Sequence, residues 1–408
     1  MVLMVRVADI REKRLLFLTD NPHPIREVEM KLTALLVCVF GVTTGEFVLA
    51  GILPAVAGDV GVSIPAAGLL VTAYALGMIV GGPLLTAITA GRPRKPLVLA
   101  LLGVAVAGNL LSTIAPGYGV LFAARILTAS VTSTFFANAI VIATSSVPPE
   151  KKASTVAKVA FGMNLALILG APLGTWIGEA FGWRTTFAAI TACCATGLLL
   201  VGRFVPADQP GIRGRALGEF AVFRDRDLLL AITITAVANL GLLMVFTYLA
   251  PLLTGPGKFA ATAVAPMLLV YGVGATIGNL VGGRLADRML LPSQLGALAL
   301  VVVLLVALRL SSTTILTGLL VFAVGAVGFS VIPGMQARVL TTAAAAPTLA
   351  IAVNASAYQV AAALAGWLGG RVVAGPGLPA VYLVAAAPTL LGLALTGLAL
   401  ARARTARG

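Results

Sequence analysis

The sequence predicts an all-α membrane protein of twelve transmembrane helices, arranged as two pseudo-symmetric six-helix bundles. Of its 408 residues 59% are hydrophobic and only 10% charged, whereas a soluble chain carries about 25% charged residues. Apolar windows of about 20 residues, enough to cross a bilayer, recur along the whole chain, and a single long polar segment interrupts them near its midpoint. Lipid offers backbone groups no partner, so a span is either a helix or part of a closed barrel. The alternating pattern of barrel strands is absent.

The first six windows lie near 32–54, 66–89, 97–115, 119–146, 154–178 and 184–203. The second six lie near 228–253, 263–286, 293–310, 313–337, 349–373 and 379–401. Short connections with turn chemistry, such as "APGYG", "SSVPPEKK" and "TGPGK", separate most of them. The longest connection, "RFVPADQPGIRGRALGEFAVFRDRD", is polar and punctuated by Gly and Pro. The expected organisation is a cytoplasmic extension over 1–31, a bundle over 32–203, a linker over 204–227, a second bundle over 228–401 and a tail over 402–408. The extension "MVRVADIREKRLLFLTDNPHPIREVE" holds the single histidine, His23, and lacks the apolar core and cleavage site of a signal peptide. Translation from Met30 is the alternative start.

The formal charge is +14. With both termini inside, 23 basic residues fall on the cytoplasmic side, Arg184, Lys258, Arg309 and Arg371 fall outside, and Arg125 lies within a span. That bias obeys the positive-inside rule and places both termini in the cytoplasm of a cell that carries the chain in its inner (plasma) membrane. The net charge is thus a topology signal, and nucleic acid is excluded as a partner. Cys38, Cys193 and Cys194 sit in apolar runs without disulfide or metal-ligand spacing. Neither a metal nor a cofactor is expected.

An internal repeat supports two halves. "GGPLLTA" (81–87) and "GGRLADR" (282–288) align at an offset of 201 residues. Both follow small residues at four-residue spacing, Gly77 and Gly81 in one case and Gly274, Gly278 and Gly282 in the other. Such spacing lets helix backbones approach closely.

Here the chain resembles the major facilitator superfamily, specifically its twelve-span drug:proton antiporters. "GGRLADR" is similar to the family's loop 2–3 signature in its second-half copy, which implies that Gly283, Asp287 and Arg288 help to lock helix ends in one state. "RILTASVTS" (125–133) resembles the basic motif of span 4, and "GMNLALILGAPLGTWIG" (162–178) the antiporter signature of span 5. The stretch from Gly45 to Pro83 resembles the subgroup of bacterial chloramphenicol exporters and sugar- or nucleoside-efflux proteins. Two departures stand out. Thr86 occupies the position where the repeat partner has Asp287, and Glu46 lies two turns before Pro54, where many drug antiporters place the acid about one turn before the proline.

A charge within a span costs several kcal/mol and is a functional candidate by default. Only Glu46 among the acids and Arg125 among the bases lie well inside. At ~1.5 Å per residue they sit ~12 Å and ~9 Å from the outer end, so they share a level. Pairing, directly or through water, would relieve the desolvation of both. Burial favours the neutral acid and a nearby cation favours the carboxylate, which suits Glu46 to proton coupling with Arg125 as its positioning partner. The alternatives are a fixed ion pair and a direct substrate contact. Span 5 combines Pro172 with Gly170, Gly174 and Gly178, giving a smooth, kinkable face. Asn138, Asn164, Asn239, Tyr248, Tyr271, Asn354, Tyr358 and Gln359 are candidate cavity-lining groups, each equally suited to an interhelical hydrogen bond.

These features predict a monomeric secondary transporter that exports a small amphiphilic compound in exchange for protons by alternating access. Efflux of a sugar or nucleoside is the alternative. An enzyme is excluded by the lack of a His in any span, of an intramembrane acid pair and of any catalytic spacing.

Overall fold

The computed structural model describes residues 23–89, 91–145, 147–206, 225–311, 313–342 and 347–405. Most of the expected extension, most of the linker and the last residues of the tail lie outside this set. Among the described residues every regular element is a helix.

Span 1 is α1 (His23–Phe47) and α2 (Leu49–Asp59), and spans 2, 3 and 4 are α3 (Ile64–Ile88), α4 (Arg94–Thr113) and α5 (Tyr118–Thr144). Span 5 is α6 (Pro149–Leu165) and α7 (Ala171–Phe181), joined by a π-helical turn, Ala166–Gly170. Span 6 is α8 (Trp183–Phe204), and span 7 is α9 (Arg226–Thr247) with α10 (Leu249–Thr254). Spans 8 and 9 form one long element, α11 (Val264–Leu310), broken at Met289 (φ −147°, ψ 72°). Spans 10, 11 and 12 are α12 (Thr314–Thr342), α13 (Pro347–Ala374) and α14 (Ala380–Thr405). Ten described segments are long and apolar enough to cross a membrane. One of them is the joined pair of spans 8 and 9, and α13 supplies the remaining span.

The breaks have local causes. Pro172 has no N–H and its ring crowds the carbonyl four residues back, so the helix widens ahead of it. The Ala171 N–H accordingly bonds the Ala166 carbonyl, five residues back. In span 1 the Gly51 N–H turns to the Val48 carbonyl at 3.0 Å, tightening the helix just beyond Glu46. The matching break in span 7 falls at Tyr248, 200 residues later.

The two halves pair their helices alike. Gly77 and Gly278 back onto the carbonyls of Ile126 and Ala326, and Gly81 and Gly282 onto Ser130 and Ser330. Spans 2 and 4 therefore pack as spans 8 and 10 do, with the partner residues again 200 apart.

An even number of spans leaves both termini at one end of the bundle, the terminal end. At the opposite, far end the halves are in contact: α3 lies along α13, the π turn and α7 pack on α11, and α2 meets α9 and α10. At the terminal end α5 and α6 make no comparable packing against α12 and α13. Among the described residues the halves are closed at the far end and apart at the terminal end.

Candidate functional site around Glu46

Arg125 is 1% exposed and reaches across from span 4 to span 1. Its Nη1 donates to the Gly45 carbonyl at 2.6 Å, one residue before Glu46, so the common depth expected from helical rise is what the helices deliver. The guanidinium lies 4.3 Å above the Tyr74 ring and 5.9 Å from that of Phe187. Desolvated cation–π contacts of this kind contribute about 2 kcal/mol. Its Nε and Nη2 have no hydrogen-bond partner among the described residues. Among the described residues Glu46 and Arg125 form no ion pair, because the backbone carbonyl and the Tyr74 face hold the guanidinium instead.

Glu46 finds its hydrogen bond in the other half of the molecule. Gln359 Nε2, on span 11, donates to Glu46 Oε1 at 3.2 Å. The Tyr358 side chain is within electrostatic reach of the same carboxylate. An aromatic cluster adjoins it: Phe47 meets Phe246 edge-on with centroids 5.8 Å apart, Phe246 tilts against Tyr271 at 5.2 Å, and Tyr271 meets Phe329 at 6.1 Å. Tyr271 is 1% exposed and its hydroxyl bonds nothing among the described residues. The site thus joins spans 1, 7, 8, 10 and 11, with a carboxylate at one edge and an unpartnered hydroxyl within an apolar wall.

Toward the far end the same faces are sealed. The Thr72 hydroxyl donates to the Ala363 carbonyl at 2.8 Å, and the Tyr248 hydroxyl to the Gly366 carbonyl at 2.7 Å. A Cβ at Gly366 would lie 2.6 Å from Thr72 Oγ1, and one at Gly370 3.1 Å from the Pro65 carbonyl. Absent side chains let these helices touch.

The other expected site residues disperse. Asn138 Nδ2 donates to the Thr134 carbonyl, and its Oδ1 accepts from Arg94 at 3.5 Å. Asn239 Nδ2 donates to the Thr235 carbonyl and contacts Met335 Sδ of span 10. Both act as packing groups within their own halves. Asn164 is half-buried in α6, and Asn354 is buried with an unpartnered Oδ1. Gly170 and Gly174 pack on Thr44 and Val48 of span 1, with Pro172 buried between them. Gly283 faces open space, while Asp287 and Arg288 are exposed and make no hydrogen bond or ion pair with described residues. Thr86, in the equivalent first-half position, instead shares a 3.0 Å hydrogen bond with Thr134.

Sequence reasoning passed over Phe47, Phe246 and Phe329, since aromatics in apolar spans carry no signal of their own. It also passed over the cluster at the far end in which Asp59 accepts from Arg184 and from Trp183 Nε1.

The chain matches the Major Facilitator Superfamily model over residues 35–348. It is 36% identical over 370 residues to the inner membrane transport protein YdhP of Escherichia coli K12, covering 90% of this chain and 95% of that one. It is 34% identical over 343 residues to a chloramphenicol resistance protein of Streptomyces lividans, covering 81% and 86%. Two solved structures share its fold. The human organic anion transporter MFSD10 has a TM-score of 0.67 at 17% identity, over 92% of this chain and 100% of that chain. A bacterial homologue of the human lysosomal transporter Spinster, inward-facing and unoccupied, has a TM-score of 0.68 at 15% identity, over 93% and 96%. Twelve spans among the described residues, in two like-packed halves, and the relatives agree: the chain belongs to the major facilitator superfamily and is a multi-pass membrane transporter, not an enzyme.

Proposed function

We propose that this protein exports small amphiphilic compounds across the inner membrane in exchange for protons, with its terminal end in the cytoplasm. The observation that carries the reading is the position of Glu46. It is the one carboxylate in the interior of a span among the described residues, it is bonded to the opposite half, and it borders an aromatic wall. A group placed there senses both the ligand and the relative position of the halves. The 23-to-4 basic bias supports the orientation, under which closure at the far end makes this the inward-facing state. The chloramphenicol resistance of one relative supports the substrate class.

The test is transport in proteoliposomes under an imposed pH gradient, with chloramphenicol and a panel of other antibiotics. Accumulation that collapses with a protonophore is the expected result. Substrate movement indifferent to the proton gradient overturns the coupling. Efflux of a sugar or nucleoside is the second reading, favoured by the buried, unpartnered Asn354 Oδ1 and Tyr271 hydroxyl. Competition by labelled nucleosides in the same vesicles separates the two.

A further inference from the structure

We propose that Gln359 is the positioning residue that couples the proton on Glu46 to the far-end seal. The inference rests on Glu46 as the proton carrier and adds the element that its proton controls.

Positions 359, 363, 366 and 370 follow the 4-3-4 spacing of one helix face, so they form a single stripe on α13. Each meets something outside the span. Gln359 bonds Glu46, the Ala363 carbonyl accepts from Thr72, the Gly366 carbonyl accepts from Tyr248, and Gly370 abuts Pro65. Three of the four contacts join the two halves directly, and Gly366 joins them as well through its approach to Thr72 and Gly68. Eleven residues of helix make this ladder ~16 Å long and stiff. Its innermost rung is the only one of the four built on a carboxylate. An ionised carboxylate accepts a markedly stronger hydrogen bond than a neutral acid. With Glu46 ionised the rung holds and the far end stays shut; with Glu46 protonated it loosens.

Among the described residues, the charged and titratable groups that interact electrostatically with Glu46 are Arg125 from span 4, Tyr74 from span 2 and Tyr358 from span 11. No second carboxylate and no histidine is among them, so the rung follows the proton on Glu46. The arrangement prevents slip. An empty carrier without a proton is latched closed at the far end, and it is released by protonation or by a substrate that takes the carboxylate or the Gln359 amide.

The experiment places spin labels at Val62 and Arg371, at the far ends of spans 2 and 11, in the full chain in lipid nanodiscs. From acid to alkaline pH the wild-type ratio of closed to open far ends should rise about fivefold, the difference between a neutral and a charged acceptor. Gln359→Leu should flatten that response and populate the open far end at alkaline pH. Gln359→Met, which keeps the side-chain length, guards against a packing artefact and should behave the same. In vesicles both variants should equilibrate substrate downhill but lose proton-driven accumulation. A wild-type pH response in both variants overturns the inference while leaving Glu46 as proton carrier. A wild type with neither a pH response nor proton-driven transport overturns both.

Discussion

Glu46 and Arg125 lie at one depth but are satisfied by different partners, and this divides their expected phenotypes. Glu46→Gln keeps a side chain that Gln359 can still bond, while removing titration. It should retain ligand binding, now independent of pH, and lose accumulation against a gradient entirely. Uphill transport by this variant when protons are the sole driving force would make Glu46 a structural or substrate contact. Arg125→Ala removes a charged hydrogen bond worth about 1.5–3 kcal/mol and a cation–π contact worth about 2 kcal/mol. Both binding and thermal stability in detergent should fall. Arg125→Lys should recover only part of either, because one ammonium cannot both donate to the Gly45 carbonyl and cover the Tyr74 face. Full recovery by lysine would reduce Arg125 to a point charge.

Span 5 shows how an element transmits such contacts. Its glycines run along span 1 beside Glu46, and the π turn ahead of Pro172 accepts span 8 of the other half, where a Cβ on Gly272 would lie 2.6 Å from the Leu167 carbonyl. Gly174→Val would place its Cβ 2.5 Å from Val48 Cγ2. Overpacking of this kind costs about 1–3 kcal/mol, so folded yield and transport should both drop. Gly283→Ala is the matched control. Nothing lies within 4 Å of its added Cβ, and removing a glycine from a helix interior should raise stability by about 0.5–1 kcal/mol. Equal losses in the two variants would mean that close approach is not what the span 5 glycines supply. At the end of span 8, Asp287 is exposed and makes no hydrogen bond or ion pair with described residues, whose two halves are apart at the terminal end. If it locks the opposite state, Asp287→Asn should slow transport at normal abundance without altering stability in the present state. Unchanged turnover would remove that role.

For the whole molecule the orientation and the far-end surface are both testable. A cysteine replacing Lys258, in the connection between spans 7 and 8, should react with an impermeant maleimide in intact cells; reaction only after permeabilisation would invert the topology. At the same end of the bundle, beyond the apolar window that closes at Pro54, Arg184 and then Trp183 hold the Asp59 carboxyl below the usual carboxylate range by hydrogen bonding to its ionised form. A lowered folded value contributes stability that is full above the unfolded aspartate range and is lost as pH falls through the folded value. Asp59→Asn should therefore lower the thermal midpoint at neutral pH, with the difference from wild type closing in acid. The pair is exposed, so the effect should be small. A gap that persists below the carboxylate range would assign the effect to packing.

Composition and window length determined by themselves that the chain is helical and membrane-spanning, because the bilayer leaves so few ways to satisfy a backbone. The repeat at 201 residues was legible for the same reason: glycines needed for close approach recur wherever the same helices meet. Depth along a span was legible too, since helical rise is constant, and Arg125 does reach the residue beside Glu46. Partners across the bundle were not. Helical periodicity says which residues share a face but not which helix that face meets, so Asn138 and Asn239 looked the same in sequence as Gln359. Only the tertiary structure brought span 11 of one half against span 1 of the other, gave Glu46 an amide and not the expected guanidinium, and set Phe47, Phe246, Tyr271 and Phe329 side by side.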